Sequence, residues 1–298
     1  MQIRQTLRSL SVLLVSSLLS QMTAAATRHH DTMIDVAPGV RIHAIEAGSD
    51  RGNAALVLIP GWRLTASIWH EQIDTFARDR RVIAIDPRSQ GQSTKTADGD
   101  TPEQRARDLN KVLDHFALEN IVLVGWSQGV QDVAAFVDQF GTHRLKGIVL
   151  VDSTVSGGAA AIAKNPQSAA KELQLLPIYA DDPKAYTQGM MHAIIQRPLD
   201  PRAFDQLVAD GLQTPTAIGA AMLVSDMFGT DRTPALAKFD RPTLVIASAA
   251  SRELDAQKDL AAKLPQGHFE IIEKAGHAVF VDQPQQFDKV LGQFIQRF

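Results

Sequence analysis

Two periods of apolar residues alternate along this chain. Short continuous apolar runs at Ala54–Ile59 (AALVLI), Arg81–Ile85 (RVIAI), Ile121–Val124 and Gly147–Val151 have the length and the β-branched content of strands buried on both faces. Between them lie segments with helical spacing: Thr65–Arg80, with Ile68, Trp69, Ile73 and Phe76, and Pro102–Leu118, with Leu109, Val112, Leu113 and Phe116 on one side. A further helix is expected over Gln128–Gln139. At the start, Thr32–Val36 and Val40–Glu46 flank the turn residues Ala37-Pro38-Gly39 and read as a hairpin. Strands alternating with helices predict an α/β fold, a mostly parallel central sheet flanked by helices.

The rhythm then breaks. Residues 155–240 contain no convincing strand but several helical pieces, Ser168–Leu176, Pro183–Ile195, Pro201–Leu212 and Pro215–Met227, preceded by a Gly/Ala-rich tract at Gly157–Ala163. Alternation resumes with strand Thr243–Ala247, helix Glu253–Leu264, strand Phe269–Ile272 and helix Pro284–Arg297. The expected organisation is therefore a core built from 27–154 and 241–298, with 155–240 inserted after the sixth strand as a helical lid. Met190, Met191, Met222, Met227 and Phe228 would suit an apolar roof, although packing within the lid explains their spacing more simply.

The first 26 residues differ from the rest. Arg4 and Arg8 precede the apolar run Leu10–Leu19, and Ala24-Ala25-Ala26 supplies small residues for cleavage, the pattern of a secretory signal peptide. That run is too short to cross a bilayer unaided, so no stable membrane anchor is expected after cleavage. With no cysteine in the sequence, neither a disulfide nor a lipoprotein attachment is available. A periplasmic or secreted protein is expected. The net charge of −3, without a basic block, gives no support to nucleic-acid binding.

Candidate chemistry centres on Gly125-Trp126-Ser127-Gln128-Gly129, a G-x-S-x-G placed between a buried strand and a helix. A turn that tight exposes the serine hydroxyl, which needs a base within hydrogen-bond reach to become a useful nucleophile. A small serine closing the turn is the competing reading. His277, in Ala275-Gly276-His277-Ala278 just after the last strand, is the candidate base, since imidazole exchanges a proton near neutrality. Of the other histidines only His192, in the lid, is placed to approach a substrate. No group of residues has metal-ligand spacing, and no cofactor is expected.

These motifs, with Pro60-Gly61-Trp62 after the third strand and Asp86-Pro87-Arg88-Ser89-Gln90-Gly91-Gln92-Ser93 after the fourth, make residues 32–298 resemble the α/β-hydrolase superfamily. Within it the chain is similar to the lidded group of small esterases, cofactor-free haloperoxidases and carbon–carbon bond hydrolases. The resemblance implies an oxyanion hole built from the backbone N–H groups of Trp62 and Gln128. Pro60-Gly61 stands where many members have His-Gly, which leaves the Trp62 N–H in place. The acid is a sharper departure: the family's usual slot after the seventh strand falls near Ser251. Some members take the acid from the end of the sixth strand, which here points to Asp152. Glu253 is the alternative, with Asp255 behind it. Asp86 reads as an organiser of its own loop, and Trp126 as a candidate pocket wall or a core residue.

The expected function is an exported serine hydrolase of carboxylic esters working on a small-molecule substrate through an acyl-enzyme. Lactone, amide or carbon–carbon cleavage, or a perhydrolase side activity, would use the same residues. A non-catalytic binding protein that keeps the hydrolase shell is the reading from another class. The missing acid near Ser251 favours it; the retention of Ser127 and His277 opposes it.

Overall fold

The computed structural model describes residues 28–164 and 166–298. The candidate signal segment 1–26 lies outside them. Eight strands form one sheet in the order β1-β2-β4-β3-β5-β6-β7-β8. They are β1 (His29–Ala37), β2 (Val40–Ala47), β3 (Ala55–Ile59), β4 (Val82–Asp86), β5 (Ile121–Trp126), β6 (Leu145–Val151), β7 (Thr243–Ser248) and β8 (Gly267–Ile272). Only β2 runs antiparallel to its neighbours β1 and β4; every other pairing is parallel.

Helices α1 (His70–Phe76), α2 (Pro102–His115) and α3 (Gln128–Phe140) connect the first six strands. Between β6 and β7 come α4 (Gly158–Lys164), α5 (Pro166–Asp181), α6 (Pro183–Ile194), α7 (Pro201–Leu212) and α8 (Thr216–Phe228). The chain ends with α9 (Leu254–Lys263), α10 (Val279–Asp282) and α11 (Pro284–Ile295).

Burial explains the apolar runs. Every residue of β3, β4 and β5 is buried, because helices cover both faces of the sheet. Successive side chains of a strand point to opposite faces, so β3 sends Val57 and Ile59 into one core and Leu56 and Leu58 into the other. The first core is closed by α2, α3 and α9. The second is closed by α1, α10 and α11, where the Trp69 ring stacks on Phe280 with centroids 3.8 Å apart. The helices expected from Pro183 and Pro201 begin at those prolines, capped by the side chains of Asp182 and Asp200.

Residues 158–163 of the Gly/Ala-rich tract fold into α4, which packs against α8. Two local expectations differ from the structure. The segment expected to end at Leu176 continues through Pro177 to Asp181. A proline inside a helix forfeits a backbone hydrogen bond, but the extra turn delivers Tyr179, 1% exposed, into an aromatic cluster with Trp62 and Tyr186. The stretch 65–80 divides into a 3-10 turn over Ala66–Trp69 and the short α1. Among the described residues no single helix is long and apolar enough to cross a membrane.

Candidate active site

The strand order places β3 and β5 side by side, and the chain leaves them in opposite directions: outward to β4 after β3, and across to β6 after β5. That reversal opens a crevice at the carboxyl ends of the strands, where ligands bind in open α/β sheets. Ile59 pairs with Gly125, so the loops after the two strands begin level with each other.

Ser127 occupies the turn between β5 and α3 with φ 56° and ψ −119°. A non-glycine residue held there stores roughly 1–3 kcal/mol of strain. Its backbone N–H is pinned to Val151 O at 3.0 Å, while its own carbonyl accepts from Val130 N at 3.0 Å to start α3. The flanking glycines are demanded by close approach. A Cβ at Gly125 would stand 2.3 Å from Gly129 O, and one at Gly129 would stand 2.8 Å from Ile59 O.

His277 reaches the elbow from the loop after β8. Its Nε2 lies 2.8 Å from Ser127 Oγ and its Nδ1 lies 2.8 Å from Asp152 Oδ2. A carboxylate can only accept, so Nδ1 carries the proton and Nε2 is left to accept from the serine hydroxyl. The loop that carries His277 is clasped from both sides. Asp282 Oδ2 accepts from Gly276 N at 2.6 Å, its Oδ1 accepts from Arg197 N at 2.8 Å, and Ala278 N donates to Ile194 O at 2.9 Å. Trp126 Nε1–H donates to His277 O at 2.9 Å, and the ring, 1% exposed, packs against His277 and Phe280. Those contacts make Trp126 a support behind the histidine rather than an open pocket wall.

Asp152 follows the last residue of β6 in a left-handed conformation, φ 47°, which turns its side chain toward β7. Its side chain is 1% exposed. Oδ1 accepts from Ser248 N at 2.9 Å and from Gln257 Nε2 at 3.2 Å, and Gln257 Nε2 also donates to Ser251 Oγ at 2.9 Å. Ser251, in the slot where the resemblance places an acid, is thus linked to Asp152 through Gln257. Glu253 stays outside this chain, because both ring nitrogens of His277 are already occupied. As a residue it is exposed, in the crowded surroundings of His277, Ser153 and Thr154. Desolvation there holds its pKa above the ordinary carboxylate value, with Asp152 adding to the rise and His277, Thr154 and Ser153 opposing it. Openness to solvent makes that a milder desolvation than in a sealed core.

Two backbone N–H groups expected to serve as oxyanion donors, those of Trp62 and Gln128, belong to segments next to the serine. Gln128 is the first residue of α3, so its N–H belongs to the unpaired set at a helix N-terminus. Gly61 presses against the elbow so closely that a Cβ on it would lie 3.0 Å from Ser127 Cβ, which brings the Trp62 backbone alongside. Loop residues 61–66 are held from below: Asp86 Oδ1 accepts from Ala66 N at 2.6 Å, and Gln90 Oε1 accepts from Arg63 N. Asp86 Oδ2 further accepts from Gln92 N at 2.7 Å and pairs with His43 Nδ1 at 2.8 Å, the loop-organising part expected of it.

Two groups that sequence reasoning passed over lie beside this site. The Arg63 guanidinium, fully buried, sits 4.3 Å from the ring centroids of both Trp62 and Tyr179 and donates to Thr187 Oγ1 at 3.1 Å. Burial lowers its pKa, and the nearby Tyr179 and Tyr186 oppose that shift. Beneath α3, Arg105 Nε donates to Asp132 Oδ1 at 2.9 Å and Arg105 Nη2 to Asp226 Oδ1 at 3.1 Å. Desolvation pushes the Asp132 pKa up to about 7 and also raises Asp226, with Arg105 pulling both down. His192, the further histidine expected to approach a substrate, stacks on Phe204 with centroids 4.5 Å apart and is exposed. Met191 and Met222 are fully buried in packing.

The molecule thus combines an eight-stranded sheet holding one antiparallel strand with a serine elbow after β5 and a histidine after β8. Residues 56–290 match the alpha/beta hydrolase family. The chain belongs to that family. It is 27% identical over 285 residues to the non-heme chloroperoxidase CPO-A1 of Kitasatospora aureofaciens, covering 87% of this chain and 97% of that one. Among solved structures, an esterase from Exiguobacterium antarcticum superposes with a TM-score of 0.80 at 17% identity, over 90% of this hydrolase and all (100%) of that chain. A bromoperoxidase from Bacillus anthracis superposes with a TM-score of 0.79 at 21% identity over the same shares, 90% and 100%. At those identities the superpositions speak for the fold.

Proposed function

We propose that this alpha/beta hydrolase is a serine hydrolase of carboxylic esters, acting on a small-molecule substrate through an acyl-enzyme. The observation that carries the reading is the unbroken hydrogen-bonded line Ser127–His277–Asp152, with 2.8 Å at each step. A non-catalytic binding protein would have no use for a strained serine, a base in contact with it and a buried acid behind that base.

In this reading Ser127 Oγ attacks the ester carbonyl as His277 Nε2 takes its proton. Asp152 keeps the ring in the required tautomer and stabilises the imidazolium without itself being protonated. The carbonyl oxygen becomes an oxyanion received by the Trp62 and Gln128 N–H groups, a contribution of roughly 3 kcal/mol per donor in comparable sites. His277 returns the proton to the leaving alcohol, the acyl group stays on Ser127, and water activated by the same base releases the acid. Hydrogen peroxide in place of that water would give a peracid, a second outcome favoured by the chloroperoxidase name of the Kitasatospora relative.

A fluorophosphonate probe tests the assignment. Covalent labelling of the wild type, lost in Ser127→Ala, is the expected result; a folded wild type that takes no label overturns it. We also propose export, supported by Arg4, Arg8, the Leu10–Leu19 apolar run and Ala24–Ala26. N-terminal sequencing of the protein recovered outside the cytoplasm should begin at Thr27, and an intact Met1 would contradict cleavage.

A further inference from the structure

Both residues assigned to the oxyanion hole are tied, through their side chains, to one helix of the insertion. Trp62 Nε1–H donates to Gly219 O at 2.9 Å, and Gln128 Nε2–H donates to Asp226 Oδ2. Gly219 and Asp226 are both on α8 and both buried. Seven residues make about two turns, so the two acceptors lie on the same face of that helix. One face of α8 thus spans the gap between the loop after β3 and the first turn of α3.

Each end of this span is reinforced. At the Trp62 end α8 lies so close that a Cβ on Gly219 would stand 2.8 Å from Arg63 Cδ. The Arg63 guanidinium reaches Tyr179 of α5 and Thr187 of α6, so neighbouring helices of the insertion grip the same loop. At the Gln128 end Asp226 is 5% exposed, and its second oxygen accepts from Arg105 Nη2 at 3.1 Å. Arg105 binds Asp132 on α3 at the same time. A buried carboxylate that bonds an arginine and a glutamine together is placed to fix where the glutamine residue sits, since losing either bond would strand a buried polar group.

We propose that α8 is the clamp of the oxyanion hole, with Asp226 as a positioning residue that acts through Gln128 and with the Gly219 carbonyl acting through Trp62. The inserted helices then set turnover as well as access. The inference rests on the proposed roles of Ser127, Trp62 and Gln128. Ground-state binding of an ester does not require the two N–H groups to be aligned on an oxyanion, whereas the tetrahedral intermediate does.

The test compares wild type with Trp62→Phe, which removes one donor and keeps an aromatic ring, and with Asp226→Asn and Asp226→Ala. Steady-state hydrolysis of a p-nitrophenyl ester should show kcat lowered by about 10- to 100-fold, short of the roughly 10²–10³-fold for outright loss of a donor, with KM changed by less than about threefold. Affinity for a trifluoromethyl ketone, which forms a tetrahedral adduct, should fall in step with kcat. Asparagine at 226 can satisfy Gln128 or Arg105 but not both as acceptor, so it should retain more activity than alanine. A raised KM with kcat unchanged, or no change in either, would overturn the clamp; if the Asp226 variants fail to fold, Trp62→Phe alone decides by the same criterion. A wild type that fluorophosphonate does not label would remove the underlying reading and the clamp with it. Labelled wild type with kcat unaltered in the folded variants would remove the clamp only.

Discussion

Asp152 and His277 are 125 residues apart in the chain, yet Oδ2 of one and Nδ1 of the other meet at 2.8 Å. The meeting depends on two features of the backbone. β6 and β7 are parallel neighbours, with Val151 level with Ile246, and Asp152 takes a left-handed turn directly after the strand. Its N–H bonds Ile246 O at 2.8 Å and its Oδ1 takes the Ser248 N–H, so strand β7 holds the acid that strand β6 contributes.

If this acid orients the imidazole, Asp152→Asn should lower kcat by about 10³- to 10⁴-fold, because an amide can present a donor to Nδ1 and select the wrong tautomer. Glu253→Gln should stay within about threefold of wild type, since its carboxyl has no ring nitrogen to bind. Steady-state kinetics on both variants checks the assignment; a severe loss in Glu253→Gln with a mild one in Asp152→Asn would reverse it.

Gln257 should matter at one remove. Its Nε2 supports Asp152 Oδ1 at 3.2 Å and the residue is fully buried. Gln257→Leu removes one hydrogen bond to a charged group, a contribution of about 1.5–3 kcal/mol, while the Ser248 N–H remains. We expect kcat lower by about tenfold and little change in KM. Unchanged kcat in a folded variant would show that Ser248 alone suffices.

The Arg105–Asp132–Asp226 cluster predicts a pH dependence of stability. One guanidinium in direct contact cannot fully neutralise two buried carboxylates, and the Asp132 pKa is pushed up to about 7 from an ordinary 3.8. Between those values the folded protein holds a proton that the unfolded chain releases. Stability from this group is complete below the ordinary value and declines as pH rises toward 7, by no more than one proton allows, about 1.4 kcal/mol per pH unit. Denaturant unfolding between pH 4.5 and 8 should show wild type losing stability relative to Asp132→Asn as pH rises. A wild type whose stability relative to the variant stays flat across this range would mean that the carboxylate is ionised throughout, and would contradict the prediction.

The parts of this structure that were legible in the sequence are those encoded locally. Continuous apolar runs marked β3, β4 and β5, because both faces of those strands are covered, and the helices expected from Pro183 and Pro201 begin there. Ser127 and His277 were legible because each sits in a short motif next to a strand end. Asp152 could be named only as an aspartate ending β6; its claim depends on β7 being the neighbour of β6, which local pattern does not state. The helix expected to end at Leu176 runs on through Pro177, and the anchoring of Tyr179 two residues later comes from Trp62, far away in sequence. Asp226 and Arg63 left no local signal, since the partners that give them meaning are 98 and 124 residues distant.

The central claim is that an acyl group passes through Ser127, and quenched-flow mass spectrometry tests it most directly. Wild type mixed with a p-nitrophenyl ester should release a burst of p-nitrophenol matching the enzyme concentration, and the peptide containing Ser127 should gain the mass of the acyl group. That adduct should accumulate whenever deacylation is the slower step and vanish in Ser127→Ala. Steady ester turnover by a Ser127→Ala protein, or an acyl adduct on any other residue, would contradict the account.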